Sequence, residues 1–332
     1  MARDPLAVIE TAYQIESDDW LRQVAESVYR ELGAGLGLLA FSYRVIAEER
    51  IIVGSSTRIA MDEVPEISLT MMEQLPPDFV RKSFVRCECA TQSQAADAEM
   101  KALLEPMMET AASAFGWRDV LMLGGMDPNG DGVYFGVWLP EKTTLAPAER
   151  ATWNRVAAHL VAGQRLRRRI TAPEQRVPDA ADAILRPDGM VEHATGEAEL
   201  ADAREALSQA VRAVENARRN VRRIDAGEAV GAWKVLVSTR WSLVDHFESD
   251  GNRYVLARRN DVPLRGYGSL TEREHQAVCR ALLGHTNKLI AYDMGISAST
   301  VGVLLHRAAR KLDAKSRGDL IAKYRRATTT RS

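Results

Sequence analysis

Apolar residues recur at helical spacing over Trp20, Leu21, Val24, Ala25, Val28, Tyr29 and Leu32, behind Asp18 and Asp19, and Gly33, Gly35 and Gly37 end the run. The period then shortens: Leu38–Val45 and Arg50–Val53 read as strands. A second helical stretch, Ala95–Phe115, leads into a strand at Val120–Leu123. The cluster Asp127-Pro-Asn-Gly-Asp-Gly132 reads as a turn, and Val133–Leu139 as the strand returning from it. A long helix, Ala146–Ile170, has Pro147 in its first turn and Trp153, Val156, Ala157, Leu160 and Leu166 on one side. Its end, Arg165-Leu-Arg-Arg-Arg169, places cations at the helix C-terminus, where a solvated end is the simplest reading.

This order of helix, strands, helix, hairpin and helix resembles a GAF domain over residues 1–170. The resemblance implies a small α/β sensor module with an antiparallel sheet, able to take a small-molecule ligand or a protein partner. Thr171–Pro178 then reads as a linker. Within residues 179–262, Ala183–Leu185 and Met190–Ala194 flank the turn Arg186-Pro-Asp-Gly189, and Trp241–Phe247 and Arg253–Ala257 form a second hairpin. Strands, helices and more strands resemble a PAS domain. Between them Leu200, Leu207, Val214 and Val221 recur every seventh residue, with Ala203, Ala210, Ala217 and Ile224 in the second apolar slot. Such a seam suits a dimerisation helix; the alternative is a helix packed on its own domain.

From Tyr267 the pattern changes to short helices. Thr271 with Glu274 three residues on forms a capping box, Val278, Ala281 and Leu282 give an apolar face, and Gly284 ends the helix. Asn287–Met294 is a second short helix, Gly295 a tight turn, and Ser297 the cap of a third helix, Ala298–Leu312; a fourth begins after Ser316. Two short helices joined by a glycine turn form a helix-turn-helix, whose second helix enters the major groove. In that helix Val301, Leu304, Leu305, Ala308 and Leu312 make one apolar stripe, while Ser299, Gly302, Val303, His306 and Arg310 lie opposite, with Arg307 beside them.

Composition then changes the picture. The chain of 332 residues has 44 Lys and Arg against 45 Asp and Glu, a net charge of −1, with 46% hydrophobic and 27% charged residues. That usage is globular and suggests two or three domains. The neutral sum hides an uneven distribution. Residues 268–332 hold 12 Lys and Arg against five acids, Glu272, Glu274, Asp293, Asp313 and Asp319, a net +7 that leaves −8 on the rest. A basic module on an acidic body is the footprint of nucleic-acid binding. Three cysteines, Cys87, Cys89 and Cys279, make no disulfide framework and suit a reducing compartment. No secretory signal is visible, and the longest mostly apolar uncharged run, residues 33–43, falls short of the ~18 residues of a membrane span. The expectation is a soluble, cytoplasmic protein with no membrane partner.

Leu270-Thr-Glu-Arg-Glu274, Gly284-His-Thr-Asn-Lys288, Ile290-Ala291, Gly295-Ile-Ser297, Thr300-Val301 and Lys311-Leu-Asp-Ala-Lys-Ser-Arg317 together resemble the LuxR-type (GerE-type) helix-turn-helix. The resemblance covers about 65 C-terminal residues, because separated positions agree in order and spacing. It implies an all-α four-helix domain, in an α+β multidomain chain, belonging to a bacterial sequence-specific transcription regulator. The implied partners are double-stranded DNA, a second copy of the chain and RNA polymerase. By position, Thr300 matches a phosphate contact, and Lys288, Lys311, Lys315 and Arg317 sit where cations face the backbone. Gly302, Val303 and His306 match positions that reach base edges, with Ser297, Ser299, Arg307 and Arg310 around them. Gly302 stands where the family commonly has Lys or Glu, and Leu304, on the apolar stripe, where it often has His.

Other motifs read as structure. Asp127-x-Asn129-x-Asp131-Gly132 copies the start of a calcium loop, but its twelfth position is Trp138 and a strand follows. The six histidines form no metal spacing, and Cys87-Glu-Cys89 lacks a second ligand pair. No nucleophile–base signature appears, so neither an enzyme nor a cofactor is expected. The alternative to a DNA-binding regulator is an interaction protein whose helix-turn-helix serves dimerisation or partner docking.

Overall fold

The computed structural model describes residues 4–15, 17–33, 35–46, 50–61, 75–85, 89–170, 181–220, 230, 241–247, 253–259 and 270–329. The chain divides into two compact units, Met1–Gln175 with Asp225–Val230, and Arg176–Ile224 with Gly231–Ser332. Both the Thr171–Pro178 linker and the boundary expected between residues 262 and 268 lie outside the described residues.

The first unit runs α1 (Pro5–Ala12), α2 (Trp20–Leu32), β1 (Gly37–Ile46), β2 (Arg50–Ile59), α3 (Pro77–Val80), a π-helical turn (Arg81–Val85), β3 (Ala90–Thr91), α4 (Gln92–Ala95), α5 (Ala98–Phe115), β4 (Asp119–Met126), β5 (Asp131–Leu139) and α6 (Pro147–Ile170). Its sheet has the order β2-β1-β5-β4-β3 with every pairing antiparallel. Leu38, Leu39, Ala40 and Phe41 of β1 are all buried, so this strand is covered on both faces. β1 pairs Leu38 with Val137 and Phe41 with Tyr134 of β5. β2 extends to Ile59, beyond the Val53 expected, because its polar half pairs with β1 across Leu38 and Ile59.

Helix α1, which no periodicity announced, packs on α6. Gly163 makes this contact close: a Cβ there would stand 2.4 Å from the Ala12 carbonyl oxygen. Trp20 Nε1 donates to that same carbonyl at 2.9 Å. The Tyr13 hydroxyl lies 3.0 Å from His159 Nδ1 of α6. Burial holds the Tyr13 phenol above its ordinary range, against the opposing pull of Arg165, so the phenol stays protonated. Burial pushes His159 down to about 3.

The turn after β4 is a hairpin turn. Asp127 Oδ1 accepts from the N–H groups of Asn129 at 2.8 Å and Asp131 at 3.1 Å, which commits it to the backbone. The cationic end of α6 is not simply solvated. Arg167 donates to the carbonyls of Ile15 at 3.3 Å and Asp18 at 3.0 Å, and Arg168 and Arg44 share Asp131.

In the second unit, β6 (Ala183–Leu185), β7 (Val191–Ala194), β8 (Trp241–Phe247) and β9 (Arg253–Arg259) form a sheet of order β7-β6-β9-β8. Helix α7 (Ala201–Asn220) carries the heptad positions. Leu207 and Val214 are buried within the chain itself, together with Ala203 and Val211. Leu200 precedes the helix and is 53% exposed, and Val221 lies outside the described residues. Ala203, Leu207, Val211 and Val214 thus form one buried stripe along the helix. Among the described residues no single helix is long and apolar enough to cross a membrane.

Candidate nucleic-acid interface

The C-terminal helices are α8 (Glu272–Leu282), α9 (Asn287–Met294), α10 (Ala298–Lys311) and α11 (Arg317–Thr329). Their boundaries follow local chemistry. Thr271 Oγ1 accepts from Glu274 N, and Glu274 Oε2 accepts from Thr271 N at 2.8 Å, so the capping box is complete. Thr286 caps α9 by accepting from Leu289 N. Gly295 takes φ +65°, the left-handed conformation that turns the chain, and Ser297 caps α10 by accepting from Thr300 N at 3.0 Å.

A core of Ala277, Val278, Ala281, Ile290, Met294, Val301, Leu305, Ala308, Leu312, Leu320 and Tyr324 holds the four helices together. Leu304 packs against it, as its place on the apolar stripe implies. Two side chains escape sequence reading: Arg280 and Asp293, both buried, approach within 3.7 Å across α8 and α9. Arg280 Nη1 also donates to the Gln276 carbonyl at 3.0 Å. His285 Nδ1 lies 3.2 Å from the same Asp293 carboxylate, so a buried polar cluster sits where the two helices of the motif meet. Their only signal in the sequence is a charge inside each of two short apolar helices.

Burial of α10 on this core leaves one face open. Ser299, Thr300, Val303, His306, Arg307 and Arg310 are exposed. Gly302 is half-buried, yet a Cβ there would meet nothing within 4 Å. At about 100° per residue, Ser299, Val303, His306 and Arg310 fall on one line along the helix. The hydroxyls of Ser299 and Thr300 each lie 2.7 Å from Ser297 Oγ, so the first turn is tied into its own cap.

The expected cations separate into two groups. Lys288, Arg307, Arg310 and Lys315 are exposed and form no side-chain hydrogen bond or close ion pair within the described residues. Lys311 instead donates to Glu274 Oε2 at 2.7 Å, tying the end of α10 to the start of α8. Burial raises the Glu274 carboxyl, but hydrogen bonds from Lys311 and Thr271 outweigh it and hold the group below its ordinary value. Arg317 donates to the His285 carbonyl at 2.5 Å and to Asn287 Oδ1 at 2.6 Å, closing α11 onto the start of α9. Both cations, expected at the DNA backbone, also brace the domain.

The first unit carries a different feature, a cavity of about 540 Å³ between its sheet and α5. Phe79, Phe84, Met100, Leu104, Met108 and Tyr134 are among its lining. Trp138, also in the wall, has a buried indole N–H without an acceptor among the described residues.

A four-helix domain with a capped, cation-bearing helix standing on a glycine turn defines the helix-turn-helix class. Residues 268–324 match the family described as "Bacterial regulatory proteins, luxR family", and this segment is a domain of that family. Two solved structures align at 12% identity. One, "Crystal structure of Escherichia coli SdiA in the space group P6522", covers 92% of this chain and 91% of its own at a TM-score of 0.24. The other, "SdiA in complex with octanoyl-rac-glycerol", covers 97% and 88% at a TM-score of 0.21. At these scores the likeness carries no argument. No curated protein matches the chain.

Proposed function

We propose that the chain is a transcription regulator that binds double-stranded DNA through α10 and senses a small molecule in its first unit. The observation that carries the reading is the solvent-facing row Ser299, Val303, His306 and Arg310, flanked by the uncommitted cations Lys288, Arg307 and Lys315. Base readout needs side chains on an open helix face that can present hydrogen-bonding or apolar groups to the base edges, and phosphate contact needs cations at the groove margins. Pairing of two chains on a two-fold site belongs to the same reading, since one such helix reads only a half-site. The cavity supports the sensing role. Its volume falls within the range of small-molecule sites, and its apolar lining suits a mainly apolar occupant.

Retardation of a random-sequence duplex library at low salt, followed by selection of the bound fraction, tests the DNA reading. The expected result is retardation with enrichment of a two-fold-symmetric site. An absence of retardation contradicts it and favours a docking role for the domain.

A further inference from the structure

Gly302 is a helix-interior glycine that the fold does not require. Nothing lies within 4 Å of where its Cβ would stand, and its φ is not in the left-handed region. Glycine there weakens α10, so the domain would be more stable with almost any other residue. One position on is the opposite oddity. Val303 is 49% exposed, and it is the exposed large hydrophobic residue on this helix among the described residues. An apolar side chain on the reading face and an absent one beside it are explained together by the surface they would meet.

Resting on the DNA-binding reading above, we infer that Gly302 and Val303 form a site for the 5-methyl group of thymine. In the major groove thymine alone among the four bases presents a methyl group, and an apolar side chain is its natural partner. Valine is short, so its methyl groups reach a base only if the helix axis comes close. A long side chain at residue 302 would hold the helix off; with glycine, the backbone itself becomes the contact surface. Ser299 and His306, on the same line of the helix, are also too short to read bases from a distance. Specificity at this position then comes from shape and apolar contact, with Arg307 and Arg310 left to the phosphates.

The test begins with the sequence that the full-length chain selects from a random library. Each thymine in the half-site is replaced in turn by uracil, which removes only the methyl group and alters no hydrogen-bonding edge. One or two positions should lose about fourfold in affinity, the equivalent of one buried methyl. Val303→Ala should reduce that thymine-to-uracil ratio toward one while keeping the other positions' preferences. Gly302→Ala should melt at a higher temperature than wild type yet bind the selected site more weakly. A chain that selects a site but binds its thymine and uracil forms equally overturns this inference alone. A chain that retards no DNA overturns the DNA-binding reading and this inference with it.

Discussion

Lys311, at the last turn of α10, donates to Glu274 Oε2 at 2.7 Å, and the same oxygen accepts from Thr271 N at 2.8 Å. The cap of the first helix of the motif and the end of α10 thus share one buried carboxylate, 4% exposed at its side chain. Glu274→Ala removes the cap and the tie together and should cost about 2 kcal/mol. Lys311→Met leaves the Thr271 cap in place and should cost about 1 kcal/mol or less, since Lys311 is partly solvated. Because the folded carboxyl is held below its unfolded value near 4.5, its stabilising contribution is complete above that value. The contribution fades as pH falls through the folded value. Hydrogen exchange of the α8 amides, measured on the full chain, reads both effects.

Two kinds of cation should respond differently to neutralisation. Arg310→Gln and Lys315→Gln change exposed side chains that form no side-chain hydrogen bond among the described residues, so melting should stay within about 0.5 kcal/mol of wild type while DNA affinity falls for all sequences. Arg317→Gln removes the donors to His285 and Asn287 and should lower stability by about 1–2 kcal/mol. Fluorescence anisotropy with a random duplex, paired with thermal melts, separates the groups.

The first unit should be acid-sensitive through His159. Burial pushes its folded value to about 3, below the ordinary 6.5, so the unfolded chain binds one more proton between these limits. Stability from this group is full above about pH 6.5 and is lost as pH falls toward 3, with a slope approaching about 1.4 kcal/mol per pH unit. His159→Gln, whose side-chain amide can still hydrogen-bond to the Tyr13 hydroxyl, should flatten that slope. Hydrogen exchange over α1 and α6 between pH 7 and pH 5 measures it.

What the sequence disclosed was mostly local chemistry. Thr271 with Glu274, Gly295 and Ser297 act within one turn of the chain, and the structure realises each as the spacing implies. Trp20–Leu32 announced itself by period alone. Helix α1 did not, because its place depends on the missing side chain of Gly163, far along the chain. The polar half of β2 carries no alternation and is a strand only because β1 lies beside it. The same limit governed the site. The open face of α10 was legible from one helix's periodicity. The division of its cations was not, since Lys311 meets Glu274 37 residues away and Arg317 meets His285 32 residues away.

The central claim, that α10 and its uncommitted cations bind DNA, is tested most directly by the salt dependence of affinity. Each phosphate neutralised adds about −0.9 to the slope of log K against log salt. Lys288, Arg307, Arg310 and Lys315 therefore predict a slope of about −3 to −4 per chain, doubled for a pair of chains. The double variant Arg310→Gln, Lys315→Gln should shallow it by about 2 per chain. A slope near zero, or one that the double variant leaves unchanged, would contradict the account.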